Sequence, residues 1–463
     1  MRHRKAAALA AVLVLVLAAC GRSDSNKEAS SSSSGTGSSS STSGGNNDLT
    51  AVANGGFGDI KNVCSPAPSG TTLTASDKGV TATDIHVGTI TDKGFTGRAG
   101  LNKEMYDTAV AFSKWCNEHG GIAGRKLVID DRDAKLTDYN GVILASCDAD
   151  FSLVGGGAVF DDADNGGRVA CGLPNIAGYV VTPKARVADL QVQPFPNPVY
   201  KMNVGGLKAA NTISPDALKT SSVLTAQLPA TVVVRDATVE AIQQLGGTVV
   251  DQPIYNANGE SNWSPFVLGL KQNNVKFMHM VGEPENLALM EKAMKTEGYY
   301  PDAIIETANH YDKKLTEGGG DAIKNTWVGM GYIPFELAST NKATQDYLDV
   351  MKQYNPDGKV AELGAQTFSA YLLFAQAATE CGANLTRTCM LDNAKKIKSW
   401  TGGGLHAETN PGDNVPSPCF LLVKASASGF EYDEAMTKPN QGKYNCSPDN
   451  IIDLKNDYGV PKS

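Results

Sequence analysis

The chain lacks any basic block to set against its acidic excess: of 463 residues, 41 are Lys or Arg and 49 are Asp or Glu, a net charge of −8. Such a surface repels a phosphate backbone, which argues against nucleic-acid binding. Histidine is scarce, with His3, His86, His119, His279, His310 and His406 the full set of six. None falls in H-E-x-x-H and no G-x-S-x-G occurs, so metalloprotease and α/β-hydrolase chemistry lack their residues. Ser339-x-x-Lys342 matches one box of the serine acylases without the S-D-N and K-T-G boxes. The run Asp161-Asp162-Ala163-Asp164-Asn165-Gly166 lacks the ligand register and closing Glu of a calcium loop. No cysteine pair shows C-x-x-C spacing, which leaves zinc and thiol redox roles unsupported. We therefore expect no catalytic residue, no metal and no cofactor. A secreted hydrolase is the weakest alternative.

The chain does have a distinctive start. Arg2, Arg4 and Lys5 precede an apolar run from Ala6 to Ala19, shorter than the roughly 20 residues that span a bilayer. It reads as a signal-peptide core. Leu17-Ala18-Ala19-Cys20-Gly21 resembles a bacterial lipobox, which implies removal of residues 1–19 and a lipid on Cys20. Residues 20–48 include Ser30 to Ser34 and little that is apolar. They read as a flexible tether with a reach of roughly 25–30 Å. The protein is thus expected outside the cytoplasm, on the outer face of the cell membrane and touching it only through the lipid.

Nine cysteines less Cys20 leave eight, an even number that outside the cytosol suggests four disulfides. Short spacing and loop-like surroundings pair Cys147 with Cys171 and Cys381 with Cys389. Cys419 with Cys446, and Cys64 with Cys116, are the remainders.

Residues 49–83 read as an irregular lead-in. From Asp84 strands and helices alternate: strand Ile85 to Ile90, helix Leu101 to Glu118 with Met105, Ala109, Phe112 and Cys116 on one side, strand Lys126 to Asp131, helix Thr137 to Asp148. Phe151 to Val154, Asn175 to Ala177 and Leu190 to Val192 continue the strands. The second half repeats the plan. Strands are expected at 221–225, 248–250, 275–281, 303–306 and 326–329, with helices at 231–245, 264–272 and 284–297. Gly120-Gly121 and Gly246-Gly247 close the opening helix of each half. Helices at 344–354, 362–381 and 388–398 follow, then a hairpin of 419–424 and 429–432. Repeated β-α-β units imply an α/β fold with two parallel sheets, each covered by helices on both faces. The first lobe is expected over 84–199 and 336–415, and the second over 200–335 and 416–463.

Several phrases carry a family resemblance. They are Val87-Gly88-Thr89-Ile90-Thr91, then Asn117 to Arg125 (NEHGGIAGR), Gln244 to Val250 (QLGGTVV), and Phe420 to Lys424 with Gly429-Phe430. In this order, over about 84–432, the chain resembles the type I periplasmic binding proteins that serve branched-chain amino acid transporters. The resemblance implies two Rossmann-like lobes joined by three crossovers, a small solute held between them by hinge closure, and an ABC permease as partner, with the binding protein a monomer. Branched-chain amino acids are the family default. Related apolar, amide or acid compounds are the neighbouring possibilities, and a sensing receptor without transport is the alternative output.

In such a fold the ligand sits beyond the carboxyl ends of the strands. That places the loop Asp92 to Arg98 near it, with Phe95 and Thr96 either closing over an apolar solute or simply solvated. The Gly155 to Asp161 loop brings Ala158 and Phe160, with a helix expected from about Asp161 to aim N–H groups at the ligand. Tyr179 follows the fourth strand. The resemblance implies hydroxyl residues at these two loops, but Gly157, Ala158, Gly178 and Tyr179 stand there, which counts against an amino acid. In the second half Glu283, Thr307 and Asn309 follow strands. An ammonium-binding acid is implied near Thr307; Glu306 is close but out of phase, and Glu283 is the substitute. Tyr332 and Gln366, with Phe335 and Phe368, line the hinge side or pack in the core.

Overall fold

The computed structural model of the chain describes residues 50–462. The signal segment, Cys20 and the tether fall outside the described residues. The first sheet holds five parallel strands in the order β2-β1-β3-β4-β5. These are β1 (Asp84–Thr91), β2 (Lys126–Asp133), β3 (Ser152–Val154), β4 (Asn175–Ile176) and β5 (Gln191–Val192). β1 is an interior strand, buried from Val87 onward, as a strand covered on both faces must be. The helix Lys103–Glu118 lays Met105, Ala109, Phe112 and Cys116 into the core, all at 0% exposure. Gly120 and Gly121, both at positive φ, turn the chain back toward β2.

The second half contributes β6 (Lys201–Asn203), β7 (Ser221–Ala226), β8 (Val249–Asp251), β9 (Ile254–Tyr255), β10 (Phe277–Val281), β11 (Ala303–Thr307) and β12 (Thr326–Met330). After the late helices come β13 (Cys419–Ser426), β14 (Gly429–Tyr432), β15 (Asn445–Cys446) and β16 (Ile451–Asp453). The second sheet runs β14-β13-β12-β11-β10-β7-β8, with β9 also on β7 and β15 on β13. From β8 to β12 it is parallel and repeats the order of the first sheet. The β13–β14 hairpin then adds an antiparallel edge. β16 pairs with β6, a contact with no clear trace in the sequence pattern.

Between β12 and β13 the chain returns to the first sheet. The helices Lys342–Tyr354 and Glu362–Thr379 pack on Lys103–Glu118. The second of these is apolar nearly all round, and so it is buried nearly all round. Its Phe368 meets Phe57 of the lead-in at 4.5 Å between ring centres, and Trp115 Nε1 donates to Val52 O at 3.0 Å. The lead-in is therefore part of the core. Disulfides join Cys64 to Cys116, Cys147 to Cys171, Cys381 to Cys389 and Cys419 to Cys446, the four pairings expected from the sequence.

One expected element is corrected. No helix begins near Asp161: residues 159–164 form turns, and the helix is Asn165–Ala170, capped by Asp164. The Asp161 carboxylate is drawn instead to the loop after β4. It accepts from Val181 N–H (2.6 Å), Thr182 N–H (3.0 Å) and the Thr182 hydroxyl (2.6 Å).

Candidate functional site

In both sheets the strand order reverses beside the first strand, between β1 and β3 and between β7 and β10. Open α/β sheets bind ligands at such switch points. Here the two switch points are tied to each other. Arg98, after β1, reaches Glu283 Oε2 at 2.8 Å and Glu285 Oε2 at 2.9 Å, both after β10. Burial favours the neutral form of Glu285, but the Arg98 guanidinium outweighs it and holds the carboxyl at about 2. For Glu283 burial prevails over the same guanidinium, and its pKa lies above the usual range. Lys359 adds a second tie between Glu104 (3.0 Å) and Asp312 (2.7 Å).

The space at the loops after β3 and β4 is slight. Gly156, Gly157, Ala158, Asp161 and Tyr179 enclose about 20 Å³, room for a single water. A larger cavity of about 320 Å³ lies farther along, where the carboxyl ends of β4, β11 and β12 meet the segments that run between the sheets. Tyr179, Arg186, Glu362 and Gln366 form one wall; His279, Glu306, Thr307 and Asn309 stand opposite on the second sheet. Phe195, Leu207, Val233, Val234, Ala237 and Phe420 supply an apolar remainder. This size and composition suit a small organic ligand.

Of the candidates read from the sequence, the structure brings Tyr179, Thr307, Asn309 and Gln366 to this cavity, and Ala158 with Tyr179 to the small space. Phe95, Thr96, Phe160, Glu283 and Tyr332 line neither. Phe95 folds over Gly97, and Thr96 is exposed. Phe160 lies among the turns. Glu283 is held by Arg98, and Tyr332 is buried against Phe195 and His406. Glu306 does reach the cavity wall, but its carboxylate accepts from Met280 N–H and lies 3.2 Å from His279 Nδ1.

Arg186 and Glu362 were not singled out from the sequence. Thr182 caps the short helix Pro183–Arg186, with Pro183 in its first turn, and this helix sets Arg186 on the wall. A Thr-Pro pair is a start signal that marks this segment. Burial lowers the Arg186 pKa, against Tyr179 and Asp161. Glu362 opens the helix Glu362–Thr379 and accepts from Gln366 Nε2 at 3.0 Å. Burial raises its pKa to about 7 despite that bond.

Residues 206–430 match the periplasmic binding protein family. Among solved structures, a fatty acid ABC transporter substrate-binding protein from Thermomonospora curvata superposes with a TM-score of 0.65 at 15% identity, covering 80% of this chain and 95% of its own. A possible leucine/isoleucine/valine-binding protein from Rhodopirellula baltica SH 1 gives 0.64 at 13% identity, covering 79% and 98%. LivJ from Streptococcus pneumoniae, in complex with isoleucine, gives 0.60 at 14% identity, covering 75% and 98%. No curated protein matches the chain. The chain has the type I periplasmic binding protein fold. At these identities the likeness speaks to architecture, and it agrees with the two repeated sheets. The 320 Å³ cavity is lined from both sheets and does not include Arg98, Glu283 or Glu285, the residues that tie the two switch points.

Proposed function

We propose that the protein is the extracytoplasmic solute-binding component of an ABC importer, a monomer that closes on one small solute and presents it to a permease. The lobes in this reading are residues 84–199 with 336–415, and 200–335 with 416–463. They turn about the segments between the sheets. Cys20 carries lipid and holds the protein at the outer face of the cell membrane. The cavity lined from both sheets carries the reading. Tyr179, Thr307, Asn309 and Gln366 are its contact residues from the sequence, joined by Arg186 and Glu362. The fold neighbours named for fatty acids and for leucine, isoleucine or valine set the two solute classes to try first.

Thermal unfolding and calorimetry over amino acids, amides and carboxylic acids test this function. A true solute at 100 times its Kd adds about 2.7 kcal/mol of stability and is recovered unchanged. A panel with no stabilising member, or one that is chemically converted, overturns it. Membrane anchoring is read separately: Cys20→Ser releases the protein from the membrane fraction.

A further inference from the structure

The loops that would hold an amino acid's carboxylate have few donors to spare. Gly157 N–H donates to Ile90 O (3.0 Å), and Val159 N–H to the Asp92 carboxylate (2.8 Å). Gly178 and Tyr179 N–H both donate to Gly156 O, at 3.1 and 3.3 Å, while Asp161 takes those of Val181 and Thr182. The two acids that the sequence offers for an ammonium group are engaged as well, Glu283 by Arg98 away from the cavity and Glu306 by Met280 N–H and His279.

Arg186 is the opposite case. Its Nε is buried with no hydrogen-bond partner among the described residues. Asp161, whose charge acts on it, is already filled by three donors. The other long cation on the cavity wall, Lys201, is paired with Asp453 at 2.7 Å. A guanidinium with a buried, unpartnered nitrogen on the wall of a largely apolar chamber suits an anionic group, and its fork matches a carboxylate.

The size of the chamber bounds the rest of the ligand. An apolar cavity of about 150 Å³ takes one benzene ring; this one, at about 320 Å³, has room for roughly twelve carbons by the same measure. A four-carbon side chain would leave Val233, Val234, Ala237 and Leu207 largely without contacts.

We infer that the cavity takes a carboxylic acid with an apolar body of roughly ten to twelve carbons, its carboxylate on Arg186, in preference to a short α-amino acid. This rests on the solute-binding reading above. Tyr179 shares the wall with Arg186; burial keeps its hydroxyl protonated and able to donate to the same carboxylate.

Calorimetry on the purified protein with decanoate below its micelle concentration, 1-decanol and L-leucine tests the inference. Decanoate is expected to bind one site per chain, at least tenfold more tightly than 1-decanol or L-leucine. Arg186→Gln is expected to lower decanoate affinity at least tenfold while 1-decanol stays within twofold. Ala237→Phe, which fills the apolar end, weakens both and provides a test should the first variant fold poorly. Tighter binding of L-leucine than of decanoate, wild-type decanoate affinity in Arg186→Gln, or unchanged decanoate binding in Ala237→Phe would each overturn the inference. If another solute binds and decanoate does not, only this inference falls. If no solute binds at all, the solute-binding reading falls with it.

Discussion

Arg98 and Glu283 lie 2.8 Å apart although 185 residues separate them, because each follows the strand beside which its own sheet reverses order. Glu285 completes the pair with a second carboxylate on the same guanidinium. In the proposed solute-binding reading these contacts span the cleft, so they form only while the lobes are together and bias the closed arrangement. Arg98→Ala is expected to weaken solute binding about two- to tenfold, the equivalent of roughly 0.5–1.5 kcal/mol. It should also enlarge the radius of gyration of the free protein in small-angle scattering. An unchanged radius and affinity would remove Arg98 from closure.

Acid should act on the same contact. The Glu285 carboxyl titrates at about 2 in the folded chain, below its ordinary 4.5. A group lowered in this way stabilises the fold above about pH 4.5, and that contribution is lost as pH falls toward 2. Scattering between pH 5 and pH 2.5 is therefore expected to show the wild type opening, while Arg98→Ala changes little. A variant that opens in parallel with the wild type would place the acid response elsewhere.

Much of the architecture is written in local pattern. The helices Ser264–Gln272 and Pro284–Glu297 match their expected spans to the residue, since proline near each start and a change to polar or glycine residues at each end mark them. Each expected strand lies within a residue or two of where its apolar run places it, while the two-residue strands β9 and β15 of the second sheet are too short for any pattern to mark them. The site is less legible because its residues are assigned by partners distant in sequence. Asp161 looks locally like a helix start, but its carboxylate serves a loop 20 residues on. Phe95 looks like a lid, but it folds over Gly97 in the loop that Arg98 anchors. Arg186 sits in a four-residue helix, too short for any periodicity to reveal which way it faces.

The disulfides should differ in their contribution to stability. Cys64 and Cys116 close a loop of 52 residues, against 8 for Cys381 and Cys389. If the bridges act mainly on the unfolded chain, removing the first as a double Ser variant costs about 4 kcal/mol and removing the second about 2.5 kcal/mol. The first also ties the lead-in to the helix Lys103–Glu118, so its loss should expose residues 50–83 to limited proteolysis. Denaturant unfolding gives the order, and a reversed order would show that native packing outweighs loop closure.

Glu362 offers a stability change whose sign depends on pH. It is 2% exposed, with Gln366 as its partner, and its carboxyl titrates at about 7 against an ordinary 4.5. Between those values the unfolded chain gives up a proton that the folded chain keeps, so stability falls as pH rises from 4.5 to 7 and stays lower above. Its place in the first helical turn softens the penalty, because free N–H groups there favour negative charge. Glu362→Gln keeps the shape and removes the ionisation. It is expected to raise stability by about 1–3 kcal/mol at pH 8 and to leave the melting temperature nearly unchanged at pH 4. An equal gain at both pH values would mean that the amide merely packs better, and the buried charge would then carry no part of the effect.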